Sequence, residues 1–145
     1  MKKLTNISLA LLLVIGFISC GNSQNQSKEV KAIGNKQTAT IAKNISATEF
    51  QQIINSKKDV VVLDVRTLEE VAAGAIEGST HLDIYDPKFK QTLEGMDKDK
   101  IVMVYCAVGG RSAQAMQMIK KMGFKEVYNL SGGIRAWQNE GKPVK

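Results

Sequence analysis

The period of the hydrophobic pattern changes from block to block along this chain. Lys2 and Lys3 are followed by an apolar run from Ile7 to Ile18. The run is shorter than the roughly 20 apolar residues of a membrane span. It has the length of an export signal's hydrophobic stretch, and its positive start fits too. Residues 21–39 are Asn, Gln, Ser and Lys with little to bury, the composition of a flexible spacer. From Thr40 onward, strand and helix signals take turns. Ile41 to Ile45 reads as a short strand. Ser46-Ala47-Thr48-Glu49 is a capping box, and Phe50, Ile53 and Ile54 then form one helix stripe. Residues 60–65 (VVVLDV) are a β-branched strand run, apolar on both faces. Thr67-Leu68-Glu69-Glu70 is a second capping box, and its helix stops at Gly74. Leu82 to Ile84 reads as a short strand, and Asp86-Pro87 as a helix start with proline in first position. Residues 101–105 (IVMVY) carry the strongest strand signal, and a helix follows from about Ser112 to Met122, stopped by Gly123. Residues 127–130 (VYNL) read as a last strand. Gly132-Gly133 leads into a short helix carrying Ile134 and Trp137, closed by Gly141 and Pro143.

This alternation predicts an α/β fold: three layers, with a mostly parallel central sheet flanked by helices. Three segments are expected: a signal peptide over 1–19, a lipid-attachment cysteine with flexible linker over 20–39, and one domain over 40–145. In parallel sheets ligands sit beyond the carboxyl ends of the strands. Two chemically distinctive segments fall at such ends, Asp64-Val65-Arg66 and the stretch beginning at Cys106.

Composition narrows the function classes. The chain has 145 residues, 43% hydrophobic and 23% charged, ordinary for one globular domain. The formal charge of +6 includes Lys2 and Lys3. Basic residues are scattered, with no dense Lys/Arg run, so nucleic acid is not an expected partner. Phe17-Ile18-Ser19-Cys20 resembles the bacterial lipobox, with Phe17 where leucine is usual. Acylation of Cys20 would make the protein an exported lipoprotein of the bacterial cell envelope, held to the membrane by its N-terminal lipid. Cys106 would then be the sole remaining thiol. A lone thiol in an exported chain reads as reactive, against the alternative of an inert buried cysteine.

The neighbours of Cys106 favour reactivity. Residues 106–112 read CAVGGRS. Gly109 and Gly110 allow a tight curl closed to residues bearing a Cβ. Successive N–H groups in such a loop converge into an anion nest, and the positive end of the following helix faces the same place. Arg111 adds charge. Together, Ala107, Val108, Gly109, Gly110, Arg111 and Ser112 are the expected substrate-binding loop, with Asp64 a further candidate. Such surroundings lower a thiol's pKa and favour thiolate. Asp64 and Arg66 are read either as a structural ion pair or as pocket lining, with Arg66 favoured as structural and Glu70 as its other candidate partner; His81 is read as a satisfied structural residue, Trp137 as core, and Met116, Met118 and Met122 as packing. With one histidine and one mature cysteine, a protein-bound metal is not expected.

CAVGGRS resembles the active loop of the rhodanese-like family, Cys-x-x-Gly-x-Arg-[Ser/Thr], with Cys106, Gly109, Arg111 and Ser112 in register. DVRTLEEVAAGAIEGS (64–79) is similar to that family's first signature, and LSGGIRAW (130–137) with the ending Gly141-Lys142-Pro143-Val144 to its closing one. Ala75 and Glu77 depart from the family's common His and Pro. The resemblance covers about Thr40 to Val144 and the family's single-domain members. It implies a sulfurtransferase with a persulfide on Cys106 as catalytic residue and no cofactor. Sulfane sulfur would pass from a small anionic donor such as thiosulfate to cyanide or a thiol. A monomer is expected, with a redox protein as a further partner. Two rivals stand beside it. One is a persulfide carrier or docking module without turnover. The other is a cysteine phosphatase, whose loop places five residues between Cys and Arg where this chain has four.

Overall fold

The computed structural model describes residues 40–145. The expected signal peptide, Cys20 and linker lie outside the described residues. The elements in chain order are β1 (Ile41–Ile45), α1 (Ala47–Ser56), β2 (Val60–Asp64), α2 (Leu68–Ala72), β3 (Thr80–His81), α3 (Phe89–Glu94), β4 (Ile101–Tyr105), α4 (Gly110–Lys121), β5 (Glu126–Leu130) and α5 (Gly133–Asn139). The five strands form one sheet in the order β1-β5-β4-β2-β3, and every pairing is parallel.

Why β4 sits in the middle follows from its composition. All five of its residues are buried, which suits a strand covered by helices on both faces. Its side chains alternate between the two halves of the core. Val102 and Val104 pack with Phe89, Leu93, Met116 and Ile119, which belong to α3 and α4. Met103 and Tyr105 pack with Phe50, Ile134 and Trp137, which belong to α1 and α5. This is the three-layer α/β arrangement, with helices on each face of a parallel sheet. The Trp137 ring meets Phe50 edge-on at 6.2 Å, and its indole N–H donates to the Pro143 carbonyl at 2.9 Å.

The Ser46 box forms as expected: Ser46 N–H donates to Glu49 Oε2 at 2.9 Å, and Glu49 N–H donates to Ser46 Oγ at 3.2 Å. Two sequence expectations shift. The third strand is Thr80–His81, paired with Leu63 and Asp64, rather than Leu82 to Ile84. Asp83 ends it early: its carboxylate accepts the Tyr85 N–H at 2.9 Å and its carbonyl accepts the Asp86 N–H at 3.1 Å, turning the chain. The third helix begins at Phe89, not at Pro87. Asp86 instead forms a turn ahead of the helix, its carboxylate accepting the Lys88 N–H at 2.7 Å and its carbonyl the Phe89 N–H at 2.9 Å, so Pro87 lies in that turn.

Candidate active site

β4 delivers Cys106 at the carboxyl edge of the sheet, where the thiol is only 1% exposed. The chain then doubles back around it. Gly109 adopts φ +92°, and a Cβ there would stand 3.1 Å from both Gly132 N and Leu130 O. That turn aims the Gly109 N–H at Cys106 Sγ, 3.1 Å away. Ser112 Oγ lies 3.4 Å from Sγ and 3.2 Å from the Gly109 carbonyl oxygen, so its single proton serves one or the other. Burial in the apolar core pushes the thiol's pKa up. Hydrogen bonds from the Ser112 side chain and from the backbone N–H groups of Ser112, Val108 and Gly109 outweigh it, and the net shift is downward. This geometry favours a thiolate cradled by donors. Gly110 is the first residue of α4, Ala107 packs beneath α5, and Val108 is 57% exposed on the loop's outer side.

Of the two expected partners for Arg66, the structure selects Asp64, and Glu70 is taken by Arg111. Arg111 is held by Glu70 through two parallel bonds, Nη1 to Oε2 at 2.7 Å and Nη2 to Oε1 at 2.6 Å. Arg66 is not the partner of the Glu70 carboxylate. It is buried against Asp64, with Nη2 2.5 Å from Oδ2, and donates to the Glu70 and Gly74 carbonyls at 3.0 and 2.8 Å. Asp64 is 1% exposed and committed to that pair, so its carboxylate does not join the thiol loop. His81 Nε2 sits 2.8 Å from the Arg66 carbonyl oxygen. Met116, Met118 and Met122 pack on the core. Among the described residues no group of three or more His, Cys, Asp or Glu side chains could hold a metal ion.

Two residues outside the expected substrate-binding set belong to the site. Glu70 was read as a capping residue and as a partner for Arg66; its side chain spans instead to Arg111 of the thiol loop while still accepting the Thr67 N–H at 3.2 Å. Asn129 is a buried polar residue in an apolar strand run, which was the available signal. Its Nδ2 donates to the Gly109 carbonyl at 3.3 Å and to Asn44 Oδ1 at 2.9 Å, holding the peptide that follows the residue whose N–H reaches the sulfur.

Residues 46–140 match the sequence profile of the rhodanese-like domain. This chain belongs to the rhodanese-like family. The rhodanese-like chain is 36% identical over 96 residues to the thiosulfate sulfurtransferase GlpE of Coxiella burnetii, covering 66% of this chain and 87% of that protein. It is 33% identical over 100 residues to a sulfurtransferase of Allochromatium vinosum, covering 69% and 92%. Among solved structures, a rhodanese-related protein from Thermoplasma volcanium superimposes with a TM-score of 0.62 at 33% identity, covering 71% of this chain and 97% of that one. Sulfurtransferase activity of the single-domain type follows from this kinship.

The Glu70–Arg111 pair gives the rhodanese-like domain an acid dependence. Arg111 lowers the Glu70 pKa from 4.5 to about 2. A depressed carboxyl pKa stabilises the fold above the unfolded value, and the stabilisation is lost as pH falls from about 4.5 toward 2. The pair is partly exposed, with side chains 22% and 32% accessible, so solvent screening holds its contribution to about 1 kcal/mol. Glu70→Gln is therefore expected to lower stability by about that amount at pH 7 and to flatten the acid limb between pH 4.5 and 2. Urea denaturation across this range checks it; an unchanged acid limb would count against the pair.

Proposed function

We propose that Cys106 is the sulfur-carrying nucleophile of this rhodanese-like sulfurtransferase, with thiosulfate as donor and a thiol or cyanide as acceptor. The observation that carries the reading is the cradle at Sγ: a buried thiol, an N–H donor at 3.1 Å and a hydroxyl at 3.4 Å, with a downward-shifted pKa. The thiolate attacks the outer sulfur of thiosulfate. The S–S bond of the donor breaks, sulfite leaves with the electron pair, and Cys106 becomes a persulfide whose terminal sulfur carries the negative charge. The N–H groups that stabilise the thiolate stabilise this charge as well. A nucleophilic acceptor then takes the terminal sulfur and returns Cys106 to thiolate. Four residues between Cys106 and Arg111 make a ring suited to one sulfur rather than to a phosphate group. Intact mass after incubation with thiosulfate tests the reading: a folded protein that gains no sulfur on Cys106, or gains one that cyanide does not remove, rules it out. Stoichiometric loading without turnover would identify a carrier instead.

The same proposal extends to where the domain works. Cys20 ends the apolar run, and the polar stretch after it suits a tether. Acylation there would hold the domain at the bacterial envelope membrane. Cys20→Ser is expected to move the protein from the membrane to the soluble fraction and to abolish labelling by a fatty-acid analogue. Unlabelled wild-type protein recovered wholly soluble would exclude the anchor.

A further inference from the structure

The chain contains three arginines, Arg66, Arg111 and Arg135. All three follow carboxyl ends of strands, the side of the sheet where Cys106 lies. The first two are spoken for. Arg66 is buried against Asp64, and Arg111 is gripped by both oxygens of Glu70. Arg135 is exposed, and among the described residues it forms no ion pair.

Arg135 is also tied to the thiol loop by its backbone. Its N–H donates to the Ala107 carbonyl at 3.2 Å, next to the bond from the Ile134 N–H to the Cys106 carbonyl at 2.9 Å. Gly133 lets this close approach happen: a Cβ there would lie 2.3 Å from the Cys106 carbonyl oxygen. Cα–Cβ bonds on a helix tilt toward its N-terminus. The Arg135 stem therefore leans toward the end of α5 that is bonded to the loop.

We infer that Arg135, rather than Arg111, is the cation that recognises an anionic substrate at Cys106. The inference rests on the reading of Cys106 as the reactive thiolate. A guanidinium whose charge is matched by a carboxylate at 2.6 Å offers little net attraction to an incoming anion. An unpaired one beside the loop attracts it and presents a planar fork of donors to its oxygens. Arg135 is then a specificity-determining residue for donors such as thiosulfate, whose oxyanion end must face outward while its outer sulfur meets Cys106.

Two alkylating reagents of nearly the same shape separate charge from chemistry. Iodoacetate is an anion and iodoacetamide is neutral; in each case the thiolate displaces iodide and forms an S–C bond. Rates are measured on the full chain by mass spectrometry of the peptide carrying Cys106. Arg135→Gln is expected to lower the iodoacetate-to-iodoacetamide rate ratio roughly threefold to tenfold at low salt. It should also remove most of the ratio's salt dependence. Arg135→Lys should restore most of both. With thiosulfate, the Gln variant should lose kcat/KM mainly through KM. A ratio within twofold of wild type, or equal slowing with both reagents, overturns the assignment. If the ratio falls but wild type takes no sulfur from thiosulfate, the donor reading fails while the role of Arg135 stands.

Discussion

Cys106→Ser is expected to reduce sulfur transfer by roughly a thousandfold or more, while the protein keeps its fold. A hydroxyl is a poor nucleophile at neutral pH and cannot hold sulfur as a persulfide. The structural effect is far smaller. The thiol is 1% exposed and accepts the Gly109 N–H, and serine oxygen in its place accepts the same donor. Burying the more polar group costs about 1–2 kcal/mol. Turnover of thiosulfate and cyanide, measured beside a thermal melt, checks both halves. Residual turnover above a few per cent of wild type in a folded variant would place the chemistry at another group.

Gly133→Ala is expected to be the most damaging single methyl group in the domain. Its Cβ would lie 2.3 Å from the Cys106 carbonyl oxygen and 2.6 Å from the Ala107 carbonyl carbon and oxygen. All of these are backbone atoms of the thiol loop, so relief requires the loop or α5 to move. The residue also adopts φ +61°, where a side chain is strained before any contact is counted. Together these effects are expected to destabilise the fold by about 3 kcal/mol or more, with activity falling as Cys106 shifts. Gly141 supplies the comparison. It has φ +69°, yet nothing lies within 4 Å of a Cβ there, so Gly141→Ala carries backbone strain alone, about 1 kcal/mol. Chemical denaturation of both variants decides; equal losses would mean that the close approach to the loop has no energetic weight.

What the sequence revealed and what it concealed divide by range along the chain. β4 was legible because five apolar residues in a row admit few other structures, and the Ser46 box because its partners are three residues apart. The thiol loop was legible because glycines, arginine and cysteine sit within one short stretch. Local signals misplaced β3 and the start of α3, since Asp83 and Asp86 each bond to a backbone N–H two residues on and turn the chain. Partners distant in sequence were not legible. Glu70 and Arg111 stand 41 positions apart, and while the short separation of Asp64 from Arg66 allowed for their ion pair, nothing local chose between Asp64 and Glu70 as the partner of Arg66. Arg135 carries no local signal either, since what links it to the site is the backbone bond from α5 to Ala107.

The strand order also sets when this fold can be completed. β1 is an edge strand whose sheet neighbour is β5, with Ile41 opposite Glu126 and Ile45 opposite Leu130. A chain emerging N-terminus first therefore holds its opening strand unpaired until nearly the whole domain has been delivered. Closing so long a loop is slow, and the sheet cannot close while the last strand is still inside a ribosome or a translocation channel. β1 is therefore secured to the sheet only once β5 has formed, whereas β2, β3 and β4 can pair before it.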